Sequence, residues 1–317
     1  MQEIRTVWVM GLGGVGGFFG GQIAYYLHQH DDSRRVYFIA RGQHLREIRE
    51  HGLILRSNNE NLICHPAGAA EDPGDFPVPD LCLLAVKSYD LQRSVQQINP
   101  YIHDNAVVLP LLNGLDIYDR VCRTLDYGIV LPACIYIASH IEQPGRVVHN
   151  GPPGRILFGN DPRFPEFDPE VLLAFCREIN LDVSRVDDPC PAIWEKYLMV
   201  APFALVTAAR GKSFGEVLED AEDNGCTAAI MQEIIRIGQK QGIELDMGFV
   251  AKTLAAAGRF PYNARSSFQR DLEQGRGKAE GDVFGATISR MGREAGVATP
   301  MTDKMMRLIR ERFKYSW

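Results

Sequence analysis

The 317-residue sequence lacks the features that mark nucleic-acid-binding and metal-binding proteins. Its 34 Lys and Arg residues are outnumbered by 40 Asp and Glu residues, giving a formal net charge of −6, and it has no basic run of the kind that binds phosphate backbones. The seven cysteines include no CxxC pair and no Cys/His metal spacing, and an odd number cannot all pair within one chain. We therefore expect no nucleic-acid partner, no bound metal, and free thiols in a reducing cytoplasm.

Residues 7–27 form an uncharged stretch that has some features of a membrane helix or a signal peptide. The spacing of Gly13 and Gly17, for example, repeats the GxxxG pattern. Seven residues of the stretch are glycine, however, its start resembles a strand, and no basic segment precedes it. We expect a strand, a turn and a helix here, and no membrane association.

The first half of the chain alternates short apolar runs with segments of helical periodicity, which is typical of βαβ units around a parallel sheet. The segments of helical periodicity predict helices that include 18–27 and 91–98. The apolar runs predict further strands extending the sheet between 145 and 160, in addition to strands at 7–10, 36–40, 81–86, 107–111 and 128–137.

After about Asp187 the strand signals largely disappear and a 3.6-residue periodicity takes over. Pro189 and Pro191 discourage a helix that continues across this point. The sequence therefore predicts a Rossmann-like, doubly wound α/β domain over residues 1–187 and an all-α domain over residues 188–317. The helices of the second domain are expected near 190–210, 224–241, 247–257, 263–275, 280–295 and 301–314.

A glycine-rich segment, Gly11-Leu12-Gly13-Gly14-Val15-Gly16, lies between the first predicted strand and the first predicted helix. This is the context of a dinucleotide site, in which Gly11 permits the tight turn, Gly13 lets the backbone approach a pyrophosphate, and Gly16 lets the helix pack on the strand. The phosphates would lie at the positive end of the helix dipole. All six residues are therefore predicted to bind the cofactor.

The end of the second predicted strand distinguishes NAD from NADP, because an acidic residue there accepts the ribose 2′-hydroxyl whereas an arginine pairs with a 2′-phosphate. Residues 36–40 run into Arg41, and no Asp or Glu occupies this strand end. A guanidinium is a planar, permanently charged donor suited to phosphate. NADP(H) is therefore the expected cofactor, the alternative being that Arg41 is only a solvated surface charge.

Two polar residues follow predicted strands at their carboxyl ends, where doubly wound folds bind ligands. Lys87 comes directly after the apolar run 81–86, and Asn113 follows the run 107–111. Each residue also has a structural explanation, since Lys87 could be a solvated loop lysine and Asn113 a turn residue in an Asn-Gly pair.

At these residues the sequence begins to resemble the ketopantoate reductase family (2-dehydropantoate 2-reductases), whose members join an N-terminal Rossmann domain to a C-terminal helical domain. The resemblance covers nearly the whole chain, and its short motifs are specific through their order and spacing. The motifs are Gly11–Gly16, Ala40-Arg41-Gly42, Val86-Lys87-Ser88, Leu112-Asn113-Gly114-Leu115, Trp194-Glu195-Lys196, Arg265-Ser266-Ser267, Asp271–Arg276, Glu280-Gly281-Asp282 and Gly296–Pro300.

The resemblance implies a catalytic role for two residues of the helical domain. Lys196 would be the general acid that protonates the ketone oxygen as hydride reaches the carbon, and Glu280 would position this machinery. Their structural alternatives are a surface helix lysine and an acidic residue in the first turn of a helix. The loop before Glu280 is one residue longer than the family pattern, through Gly277 or a neighbour.

The resemblance also implies the substrate contacts. Ser267 would bind the substrate carboxylate, with Ser266 as a nearby competitor. Lys87 and Asn113 would contact both cofactor and substrate near the nicotinamide.

Two positions depart from the family pattern. Val200 and Ala204 lie four and eight residues beyond Lys196 on one helical face, where family members commonly carry asparagines that hydrogen-bond the substrate. Apolar side chains there favour a different, more apolar 2-oxo acid, unless they simply pack. Pro202 is expected to kink this helix.

We therefore expect an NADPH-dependent oxidoreductase acting on a small-molecule 2-oxo acid. The resemblance implies ketopantoate, reduced to (R)-pantoate in pantothenate biosynthesis, as the first choice. The alternatives are a paralogous reductase of a more apolar 2-oxo acid and an NADP(H)-binding sensor without catalysis. His149 is expected to be structural rather than a proton donor. Subunit number stays open, because the apolar stripes of the helical domain pack either internally or across a homodimer.

Overall fold

The computed structural model describes residues 3–31, 33–58, 60–275 and 278–314. The chain divides into two compact units. The first lies within residues 1–113 and 117–189, and the second within residues 190–317 together with the short segment 114–116. The division after Pro189 falls two residues beyond the junction expected from the sequence.

The first unit contains a parallel sheet flanked by helices, with strands and helices numbered here in chain order. Its strands are β1 (Thr6–Met10), β2 (Arg35–Ile39), β5 (Gly68–Ala70), β6 (Leu81–Leu84), β7 (Val107–Pro110) and β8 (Ile129–Val130). They lie in the order β5-β2-β1-β6-β7-β8, and every adjacent pair is parallel. Helices α1 (Gly14–His30), α2 (Gly42–His51), α3 (Ser88–Ile98) and α4 (Ile117–Cys122) complete the layers. The Rossmann-like prediction is confirmed.

Two smaller sheets complete the first unit. One contains β3 (Leu53–Ser57), β4 (Glu60–Cys64), β10 (Ser139–Gln143) and β11 (Arg146–His149), in the order β10-β11-β3-β4. The other contains β9 (Ala133–Tyr136), β12 (Arg155–Phe158) and β13 (Asp182–Arg185), in the order β13-β12-β9, and α5 (Glu170–Glu178) connects β12 to β13.

These sheets overturn two expectations from the sequence. Residues 145–160 do not extend the large sheet, because β11 pairs with β3 and β10 while β12 pairs with β9 and β13. The single strand expected at 128–137 is also wrong. It is divided at Pro132, which has no N–H to donate to a ladder, so β8 joins the large sheet and β9 joins the smallest one.

The second unit is helical throughout its described elements, as predicted. The helix expected at 280–295 is a π-helical turn followed by a separate α-helix, and the helix expected from 263 begins only at Ser267. The elements are α6 (Cys190–Arg210), α7 (Phe214–Glu219), α8 (Ala221–Lys240), α9 (Gly248–Ala257), α10 (Ser267–Glu273), the π-helical turn (Asp282–Ala286), α11 (Thr287–Ala295) and α12 (Pro300–Phe313).

Helix α6 forms the centre of this unit, where it packs against α8, α10 and α12. By length and apolar composition alone it would be able to cross a membrane, but 67% of the corresponding window is buried inside the protein. Trp194, Leu198 and Leu205 on its apolar stripe are at most 3% exposed. The helix therefore has the burial of a core helix, and it continues through Pro202 without ending there.

A buried carboxylate, Asp161, ties three parts of the first unit together. It accepts hydrogen bonds from the Tyr118 hydroxyl at 2.7 Å, the Val130 N–H at 2.8 Å and the Arg163 guanidinium at 2.7 Å. Burial alone would raise the pKa of Asp161, but the bonds from Arg163 and Tyr118 outweigh burial and hold that pKa below its ordinary value. The ionised form is therefore the one that the fold stabilises.

We predict that Asp161→Asn lowers the free energy of unfolding by about 2 kcal/mol at neutral pH, since charge-assisted bonds are lost at a buried position. A lowered folded-state pKa stabilises the protein above the unfolded pKa, and this stabilisation is lost as the pH falls through the folded pKa. Urea unfolding near neutral pH and near pH 3 should show the gap between wild type and variant narrowing in acid. An equal gap at both pH values would contradict this account.

Candidate active site

The glycine-rich loop joins β1 to α1, as the sequence predicts. Gly11 adopts a φ of +93°, and its N–H donates to the Ile39 carbonyl at 3.0 Å. A Cβ added at Gly16 would lie 1.9 Å from the Gly11 carbonyl oxygen, so the helix and the turn are in direct contact. Leu12 is buried and Val15 packs against the core. The loop therefore presents backbone rather than side chains at the start of α1.

Gly13 differs from its neighbours because it faces open space. A Cβ added at Gly14 would lie 2.4 Å from the Ser139 carbonyl oxygen, whereas one added at Gly13 would meet no atom of the described residues within 4 Å. Gly13 is also the N-cap of α1, whose leading N–H groups point out of the helix at its positive end. Open space and outward backbone donors fit the pyrophosphate of a dinucleotide.

This geometry predicts different outcomes for two similar substitutions. Gly13→Ala should leave the thermal midpoint nearly unchanged but weaken dinucleotide binding by about tenfold or more, since each hydrogen bond to a charged phosphate is worth about 1.5–3 kcal/mol. Gly16→Ala should instead lower the free energy of unfolding by about 3 kcal/mol, through overpacking against Gly11. Thermal unfolding and dinucleotide titration of both variants check this. Equal destabilisation of the two would count against the assignment of the open side to Gly13.

Arg41 lies at the end of β2, where it is the N-cap of α2. Its side chain is 58% exposed and forms an ion pair with the carboxylate of Asp90, whose side chain is 11% exposed. Asp90 belongs to the first turn of α3, the helix after β6. The sequence identified Arg41 as the residue for a 2′-phosphate but did not identify its acidic partner.

Lys87 and Asn113 both lie at the carboxyl edge of the large sheet. Lys87 is the half-buried N-cap of α3, just beyond β6, and the half-buried Asn113 comes shortly after β7. Because β6 and β7 are adjacent and parallel, the two connections leave the sheet side by side. This edge also carries the glycine loop, which follows β1 on the other side of β6.

In the helical unit, α6 carries the half-buried Lys196. The next residue, Tyr197, is buried and donates its hydroxyl hydrogen bond to the Val283 carbonyl in the π-helical turn. Glu280 is 5% exposed and precedes this turn, and its carbonyl accepts from the Phe284 N–H at 3.1 Å. Tyr197 thus fixes the segment after Glu280 to the helix that carries Lys196. The longer loop predicted at Gly277 lies outside the described residues.

Hydrogen-bond donors distinguish Ser266 from Ser267. The Thr207 hydroxyl lies 2.6 Å from the Phe203 carbonyl, which only accepts, so Thr207 donates there. Ser266, 3.0 Å from the Thr207 oxygen, must then donate to Thr207, and it also accepts from the Gln269 N–H as the N-cap of α10. Its only proton is committed. The Ser267 hydroxyl, half-buried on the first residue of α10, has no partner in the described part of the chain and keeps a proton for a ligand.

The two apolar departures on α6 differ in exposure. Ala204 is 1% exposed, whereas Val200 is half-buried. Ala204 therefore acts mainly as a packing residue, and Val200 is the one able to present an apolar surface beside Lys196, one turn away.

His149 is held by both ring nitrogens. Nε2 lies 2.8 Å from the Pro152 carbonyl and must donate to it, so Nδ1 accepts from the Ser57 hydroxyl at 3.0 Å. The residue is 1% exposed and its ring packs on Phe18. These contacts support the expected structural role. No group of three or more His, Cys, Asp and Glu residues arranged for a metal occurs among the residues that the structure describes.

Both units match models of one protein family. Residues 7–163 match Ketopantoate reductase PanE/ApbA, and residues 190–313 match Ketopantoate reductase PanE/ApbA C terminal. The chain belongs to the ketopantoate reductase family. Ketopantoate reductases are oxidoreductases that act on CH–OH groups with a nicotinamide cofactor, which confirms the enzyme class and the cofactor class expected from the sequence.

Individual relatives span the same length as this ketopantoate reductase family member. The uncharacterized oxidoreductase YkpB of Bacillus subtilis is 25% identical over 300 residues, covering 93% of this chain and 94% of its own. A crystal structure of a PanE/ApbA family ketopantoate reductase from Ralstonia eutropha has a TM-score of 0.87 at 25% identity, covering 98% and 100% of the two chains. D-mandelate dehydrogenase with NADH and anilino(oxo)acetate has a TM-score of 0.85 at 22% identity, covering 98% and 99%, which shows a shared fold.

Proposed function

We propose that the protein reduces a 2-oxo acid to the 2-hydroxy acid with NADPH. The observation that carries the proposal is the glycine loop, closed by packing at Gly14 and Gly16 and open at Gly13, in a member of the ketopantoate reductase family. Gly11, Leu12 and Val15 complete that loop. Arg41 at the end of β2 supports NADPH over NADH, because its guanidinium suits a 2′-phosphate.

Separate residues supply the proton, the carboxylate contact and the positioning that the proposed reaction needs. NADPH, when bound, supplies the hydride that reaches the substrate carbonyl carbon. Lys196 donates the proton that the carbonyl oxygen then requires, and its positive charge stabilises the negative charge that develops there. Glu280 positions Lys196, and Ser267 donates a hydrogen bond to the substrate carboxylate. Lys87 and Asn113, at the sheet edge beside the glycine loop, hold the substrate against the cofactor.

Ketopantoate is the first substrate to test, because the family models carry its name; its product is (R)-pantoate, an intermediate of pantothenate biosynthesis. A second candidate is a 2-oxo acid with an apolar side chain, which the half-buried Val200 favours. NADPH oxidation by the purified protein with ketopantoate, aliphatic 2-oxo acids and phenylglyoxylate separates the two. The highest kcat/KM identifies the substrate class, and no turnover with any of them would overturn the proposal of a 2-oxo acid reductase.

The cysteines support a proposed cytoplasmic location. All seven cysteines lie in the described part of the chain as thiols outside disulfide bonds, and five of them are buried, which suits a reducing cytoplasm. The proposed partners are the small-molecule substrate and, if apolar stripes of the helical unit are shared between copies, a second subunit.

We predict that Lys196→Ala lowers kcat by about 100- to 10,000-fold, the range of general acid catalysis, while NADPH binding changes little. Steady-state assays measure kcat, and titration with NADPH measures binding. An NADP(H)-binding sensor without catalysis would instead keep its ligand response in this variant. Unchanged turnover in Lys196→Ala would remove Lys196 from the mechanism.

We predict that the two adjacent serines respond differently to alanine. Ser267→Ala should lower kcat/KM for the oxo acid by about 10- to 100-fold, because one hydrogen bond to a carboxylate is lost, with little change in stability. Ser266→Ala should lower the free energy of unfolding by about 1 kcal/mol through loss of the N-cap. Kinetics and urea unfolding of both variants test this, and a reversed pattern would assign the carboxylate to Ser266.

A further inference from the structure

The ion pair between Arg41 and Asp90 crosses the carboxyl end of β1. Strands β2 and β6 flank β1 on opposite sides, with Arg41 following β2 and Asp90 lying four residues beyond Val86, after β6. The two side chains nevertheless form an ion pair. They therefore bridge the edge of the sheet from which the glycine loop rises.

The connection after β6 lies directly against the glycine loop. A Cβ added at Gly11 would be 2.8 Å from the Ala85 carbonyl oxygen and 2.8 Å from Cγ1 of Val86. The segment that leads into α3 is thus in direct contact with the turn at Gly11. Asp90 sits in the first turn of α3, where the helix dipole stabilises its negative charge.

Asp90 brings a carboxylate to the end of β2, where the sequence alone shows only the cation of Arg41. In dinucleotide-binding folds an acid at the end of the second strand accepts the ribose 2′-hydroxyl of NAD, and an arginine there accommodates the 2′-phosphate of NADP. Here Arg41 supplies the cation from β2, and the acid reaches it from α3 instead. A carboxylate paired with Arg41 offsets the positive charge of the guanidinium and repels a nearby phosphate dianion. The same carboxylate is able to accept a hydrogen bond from a ribose hydroxyl.

We propose that Asp90 is a specificity-determining residue that reduces the preference for NADPH and permits NADH to bind. This inference rests on the proposed dinucleotide-dependent function. Arg41 and Asp90 then act as a pair, in which Arg41 attracts the 2′-phosphate and Asp90 limits that attraction while offering an acceptor to the 2′-hydroxyl of NADH.

The test is the ratio of the dissociation constants of NADH and NADPH, measured by nucleotide fluorescence without any oxo acid. For Asp90→Asn this ratio should rise by about threefold to fivefold, the scale of one exposed ion pair. Asp90→Glu, which keeps the charge, should leave the ratio close to that of wild type. In an Arg41→Ala background the effect of Asp90→Asn on NADPH should shrink, because the two residues act as a coupled pair.

Asp104→Asn is the matched control, because it removes the same charge from an exposed residue just before β7, at the amino edge of the sheet. Its ratio should equal that of wild type. An unchanged or lower ratio in Asp90→Asn, with thermal midpoint and NADPH binding intact, would overturn the role of Asp90 alone. Failure of the wild type to bind either dinucleotide would overturn the proposed function as well.

Discussion

Close packing of α1 is the constraint on which the first unit depends. A Cβ at Gly20 would lie 2.9 Å from Cγ2 of Val9 in the large sheet, and one at Gly17 would lie 2.5 Å from Cγ2 of Val147 in the four-stranded sheet. The glycines of α1 thus allow a single helix to approach two sheets at once. The same approach puts the start of α1 at the end of β1, with Gly16 against Gly11. The composition that resembles a membrane segment in the sequence is the composition that this double packing requires.

The features that could be predicted from the sequence are those that depend on residues close together along the chain. β1, β6 and β7 are nearly continuous apolar runs, because both faces of a parallel strand are buried, and the glycine loop follows β1 directly. Helix α2 was not predicted, since only Leu45 and Ile48 of its ten residues are buried and its other positions are mostly polar. Assignment of strands to sheets failed after residue 130, because short Val and Ile runs predict a strand but not its partner.

The residues of the candidate site show the same limit. Adjacent serines are equivalent in a sequence pattern, and only their hydrogen bonds distinguish them. Thr207 donates to Phe203, so Ser266 donates to Thr207 and accepts from Gln269, whereas Ser267 keeps its proton. Asp90 is similarly hidden, because it is 49 residues away from Arg41 along the chain and no local motif links them. Contacts between distant segments must be seen in the folded protein.

The two halves of the proposed chemistry depend on different kinds of group. The cofactor loop binds through backbone, so nearly every residue in it is constrained by packing: an added methyl collides at Gly14 and Gly16. The proposed substrate contacts are single side chains. On α6 and α10, Val200 and Ser267 are half-buried, so either can change without disturbing the core. A change at Val200 alters one half-buried surface, whereas Trp194, Leu198 and Leu205 hold α6 in place from another part of its circumference. In this chain the side chains proposed to contact the substrate can therefore change while packing keeps the dinucleotide loop fixed. For this reason the glycine motif indicates the cofactor, whereas the oxo acid is indicated only by individual side chains.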